Sequence, residues 1–134
     1  MSRLKLFAVV FALGAAGCHS TSTTTPTPTP NPITDTFLGT LTVNGGVTHQ
    51  FAAARSGTTQ ETLTALSPDS TVILGISLGT WNGNSCQVVL AKDNATLGSI
   101  VLGTASSAGT LCARVYDVGN LTEPASYEIT VVHN

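Results

Sequence analysis

Residues 108–132, AGTLCARVYDVGNLTEPASYEITVV, restrict the fold more than any other part of the chain. They form two alternating runs around a polar turn. In the second run Tyr127, Ile129 and Val131 share one face, and Glu128 and Thr130 point the other way. In the first run Leu111, Ala113 and Val115 oppose Cys112, Arg114 and Tyr116. A period of two fits a strand with one face in a core and does not fit a helix. The first set of each run is expected to be core.

From Ile33 onward the chain repeats this pattern. Strand-like runs at 37–43, 47–53, 61–66, 71–78, 86–91, 99–103, 110–118 and 126–132 are separated by Gly, Asn, Asp, Ser and Pro. No segment sustains a 3.6-residue period. Charged residues make up 9% and aromatics 5%, so the core must be built from Val, Leu, Ile and Ala. The abundant Thr and Val suit strands better than helices. About eight short strands without helices leave two packed antiparallel layers as the economical solution. The expectation is an all-β, jelly-roll-like sandwich. Asn44-Gly45-Gly46 is a strong turn signal and predicts a hairpin between the first two runs.

The N-terminus reads as an address. Arg3 and Lys5 precede an apolar stretch, residues 6–16, that is too short to span a bilayer. Ala15-Ala16-Gly17 then precedes Cys18, which resembles a bacterial lipobox, although Ala15 stands where leucine is usual. The expected division is a lipoprotein-type signal peptide at 1–17, a tether at 18–32 and a sandwich domain at 33–134, with lipid on Cys18. Alternating Thr and Pro in the tether favour polyproline II, with a reach of roughly 40 Å. Without Arg3 and Lys5, the chain keeps Arg55, Lys92 and Arg114 against seven acidic residues, a net of −4. That balance gives no electrostatic footprint for nucleic acid.

Two cysteines follow Cys18. In an exported protein, Cys86 and Cys112 on separate strands are most simply a disulfide, joining neighbouring strands if Cys112 lies on the outer face. The alternative, a metal, would have to recruit His49 and His133.

The segment 108–116, AGTLCARVY, followed after a polar loop by Ser126-Tyr127-Glu128-Ile129-Thr130-Val131, resembles the closing strands of the bacterial pre-peptidase C-terminal domain. The resemblance extends more loosely over residues 37–132. It implies a β-sandwich module carried by exported proteins, non-catalytic, with a role in adhesion or display.

Catalytic chemistry has no sequence signature here. No Ser lies in a Gly-x-Ser-x-Gly turn, no Gly-rich loop has the Lys needed for phosphate, and His49 and His133 stand apart from any evident nucleophile. The Asp117, Asn120 and Glu123 loop could offer oxygens to calcium, but an Asx-type turn explains the same residues more simply. No metal or cofactor is expected. Trp81, with Asn82, Asn84 and Gln87, is the candidate ligand-binding group, since an indole can stack on a sugar while amides bond its hydroxyls. The chain is expected to be a lipid-anchored, non-enzymatic envelope module for display or interaction, or alternatively a carbohydrate-binding module. Its expected partners are membrane lipid through Cys18 and a polysaccharide or envelope protein.

Overall fold

A computed structural model describes residues 22–134. The signal segment 1–17 and Cys18 lie outside the described residues. Residues 22–32 form no helix or strand and are exposed. Eight strands follow: β1 (Ile33–Leu41), β2 (Gly46–Ala53), β3 (Gly57–Ser67), β4 (Leu74–Trp81), β5 (Cys86–Ala95), β6 (Ile100–Ala105), β7 (Gly109–Tyr116) and β8 (Ala125–His133). They form two four-stranded antiparallel sheets, ordered β1-β8-β3-β6 and β2-β7-β4-β5. This is a jelly-roll order, with the chain crossing between sheets at most of its turns.

The expected alternation decides which faces meet. Tyr127, Ile129 and Val131 of β8 are buried against Ala113 and Val115 of β7, with Leu111 packed at the edge of the same cluster. Leu41, Phe51, Leu63, Leu74, Ile76 and Leu78 complete the core. Each comes from a strand that shows its other face to solvent or to the outer surface of its sheet. Residues 71–73 precede β4 because Asp69 ties the chain into a turn. Its Oδ1 accepts hydrogen bonds from Thr71 N at 2.8 Å and Thr71 Oγ1 at 2.6 Å.

The hairpin expected between the first two strands is not formed. β1 pairs with β8 and β2 with β7. The chain does reverse at residues 42–45, where Gly45 N donates to Thr42 O at 2.9 Å. The reversal carries it from one sheet to the other. Phe37 of β1 and His49 of β2 consequently stack face to face across the interior, with ring centroids 4.8 Å apart. A hairpin would have placed them side by side in one sheet, with no partner across the core.

Cys86 and Cys112 form the disulfide, with their Cα atoms 5.8 Å apart. It lies within one sheet, on its outer face, and does not cross the core. It does not join hydrogen-bonded neighbours, however: β5 and β7 flank β4 on opposite sides. The bond bridges over Gly79, the β4 partner of Cys112. The backbone of β5 folds so closely over this point that a Cβ on Gly79 would lie 2.2 Å from the Gln87 carbonyl oxygen. Only a residue without a side chain fits there. A structural disulfide places the domain in an oxidising, extracytoplasmic setting.

Candidate functional site

The strand ends at Ala53, Trp81, Ala105 and His133 gather at one end of the sandwich, together with the starts of β1, β3, β5 and β7. A cleft of about 470 Å³ opens there between the sheets. Leu78 and Trp81 of β4, Val89 and Leu90 of β5 and Leu111 of β7 supply its apolar surface. Thr59 of β3, Gly103 of β6 and the β6–β7 loop complete the lining.

Local features of two edge strands shape this cleft. The pairing of β5 with β4 runs from Leu78↔Leu90 to Gly79↔Val88 and skips Val89. A bulge of this kind bends an edge strand and re-aims its side chains. Across the gap, β6 carries Gly103, where a Cβ would sit 2.9 Å from Leu90 Cδ1. The glycine lets Leu90 reach across between the sheets.

The four residues of the proposed binding group take different places. Trp81 is half-buried and lines the cleft. Asn82, Asn84 and Gln87 are exposed, and none belongs to the lining. Asn82 Oδ1 accepts from Asn84 N at 2.9 Å and Ser85 N at 2.8 Å, which closes the β4–β5 turn. Gln87 Nε2 donates to Ser85 Oγ at 3.1 Å. The polar lining of the cleft is instead hydroxyl: Thr59, Thr80, Thr104, Ser106, Ser107 and Thr110, with no charged or amide side chain among the described residues.

Asp117 and the two domain histidines have structural partners. Asp117 Oδ1 accepts from Gly119 N, Asn120 N and Leu121 N at 2.9–3.1 Å, and Oδ2 accepts from Asn44 N at 2.8 Å. Burial pushes this carboxyl upward, but the four backbone N–H groups outweigh it and hold the group below its ordinary value. This is the Asx-type turn, made by a side chain already committed to amides. His49 Nε2 lies 2.8 Å from Tyr127 Oη, and burial lowers the imidazole pKa. His133 is buried, with Nε2 3.0 Å from Asp35 Oδ2 and its ring against Phe51.

Two interior residues were not singled out by sequence patterning. Thr59 and Glu61 point inward from β3 and are buried, and their side-chain oxygens have no hydrogen-bond partner among the described residues. Burial pushes the Glu61 carboxyl up to about 9, so it is the neutral acid at pH 7. A signal for both was present. Period two places Thr59 and Glu61 on the same inward face as Leu63, and β3 begins at Gly57, four residues before the run legible at 61–66.

No protein-family model matches this chain, and no curated protein matches it.

Proposed function

We propose that this chain is a non-enzymatic, lipid-anchored β-sandwich held on the bacterial cell envelope for display or interaction. The carrying observation is the use of its three cysteines. Cys86 and Cys112 are bonded to each other, as in an exported domain. The third, Cys18, follows Ala15-Ala16-Gly17 directly and precedes the Thr/Pro tether. Acyl chains on that cysteine would supply membrane affinity at about 0.8 kcal/mol per buried methylene. The likeness of residues 108–116 and 126–131 to the pre-peptidase C-terminal domain supports the same role. The two domain imidazoles serve structural contacts, His49 with the Tyr127 phenol and His133 with Asp35.

Intact-mass spectrometry of the mature protein tests the anchor. The expected species begins at Cys18 and carries acyl groups, and Cys18→Ala moves the protein from the membrane to the soluble fraction. A mature N-terminus at any other residue, or an unmodified Cys18, would sink the reading.

A carbohydrate-binding role at the Trp81 loop is the second reading. It is favoured by the indole lining a cleft. It is weakened by the amides of Asn82 and Gln87, which serve the loop itself. Glycan-array binding that disappears in Trp81→Ala would promote it over display alone.

A further inference from the structure

We propose that the cleft beside Trp81 binds a small neutral molecule with an apolar body and a hydroxyl group. This rests on the cleft alone and not on the lipid anchor. Its volume of about 470 Å³ lies in the range of small-molecule sites and far above the voids left by ordinary core packing.

The lining selects the chemistry. Leu78, Leu90, Leu111, Val89 and Trp81 present hydrocarbon and one indole, and no charged side chain among the described residues faces the space. A charged ligand would lose its hydration there and gain no counter-charge. A sugar bonds its several hydroxyls best through amide, carboxylate or guanidinium groups, and none lines this cleft. What remains is a mostly apolar molecule.

The place of its one polar group is set by Thr59. This residue lines the cleft, is 3% exposed, and has a hydroxyl without a hydrogen-bond partner. A buried hydroxyl left unpaired is costly, and a ligand hydroxyl at this position would pair with it as donor or acceptor. Glu61, two residues along the same inward face, is also buried without a partner, so the protein itself offers Thr59 no relief from that side.

The test uses the full chain carrying Cys18→Ser, exported to an oxidising compartment so that the disulfide forms and no detergent is needed. Trp81 is the only tryptophan, so its emission reports directly on the cleft. Titration with 1-octanol is expected to give a saturable blue shift, and methyl glucoside at the same concentrations none. Thr59→Val should weaken octanol binding about 3- to 10-fold without lowering the melting temperature, because the lost hydroxyl has no partner in the protein. Val89→Asp, at a position 69% exposed, should weaken it at least as much while the fold stays intact. A shift that fails to saturate overturns the proposal. So does octanol binding that both variants leave unchanged, or a saturable response to methyl glucoside.

Discussion

A carboxyl group buried without a hydrogen-bond partner persists as the neutral acid, and Glu61 is in that state. The consequence is a stability that depends on pH in the direction opposite to that of a salt-bridged acid. Its folded-state value of about 9 stands above the ordinary 4.5. Between these values the folded chain holds a proton that the unfolded chain has released. The contribution is fully present below pH 4.5 and is lost as pH rises toward 9, at about 1.4 kcal/mol per unit. Tyr127 adds nothing in this range, because burial and the neighbouring Glu61 push its phenol up to about 12. Asp69 and Asp117 act on the acid side: both are held below the ordinary carboxylate value, so their contributions are lost as pH falls. His49, held below its ordinary 6.5 by burial, acts in the opposite sense up to that pH, so denaturant unfolding of the wild type should show stability falling as pH rises above it, from about pH 7 to 8. Glu61→Leu should flatten that slope and be the more stable protein at pH 8. An identical slope in both proteins would rule out Glu61 as its source.

At the scale of the strands, one expectation was legible and another was not, for a physical reason. Alternation in residues 126–132 fixed which face of β8 is buried, because a strand cannot turn one residue without turning them all. Asn44-Gly45-Gly46 announced a reversal correctly but could not say where the chain goes afterwards. Turn residues encode a backbone geometry, whereas the partner strand is set by which faces must meet across the core. The disulfide was legible as a pair but not in its position, since Cys86 and Cys112 lie on either side of β4 and not on adjacent strands. The cleft was hidden because its walls come from β3, β4, β5, β6 and β7, with no local motif. The crossing at Gly79 makes a sharp test of this arrangement. Gly79→Ala drives a Cβ into the Gln87 backbone, whereas Gly75→Ala meets the Tyr116 ring, a side chain that can move. The first should destabilise by about 3 kcal/mol or more and the second by less. Replacing both Cys86 and Cys112 by serine should cost roughly 3–4 kcal/mol, from a loop closed across 26 residues. Chemical denaturation of the three variants in parallel checks the ranking; equal losses for the two glycine variants would mean that β5 does not press on β4.

At the scale of the molecule, the two sheets are interleaved in the sequence. One is built from β1, β3, β6 and β8, the other from β2, β4, β5 and β7, and among the described residues only β4 and β5 are both consecutive and paired. The tether joins β1 at Ile33, at the same end of the sandwich as the cleft, so an anchored molecule would present that end to its own tether. Interleaving has a stronger consequence for folding. Neither sheet can form from a contiguous half of the chain, so neither can melt while the other survives. Trp81 emission reports on the sheet containing β4, and far-UV circular dichroism reports on both. The two signals should trace one coincident transition in denaturant. Pairings between distant strands must close long loops before any contact rewards them, so refolding should fall in the millisecond-to-second range. The disulfide holds β5 and β7 together in the unfolded chain and shortens that search. Stopped-flow refolding should therefore be faster with the Cys86–Cys112 bond intact than in the double-serine variant. Separate midpoints for the two signals, or refolding in tens of microseconds, would mean that one sheet organises without the other.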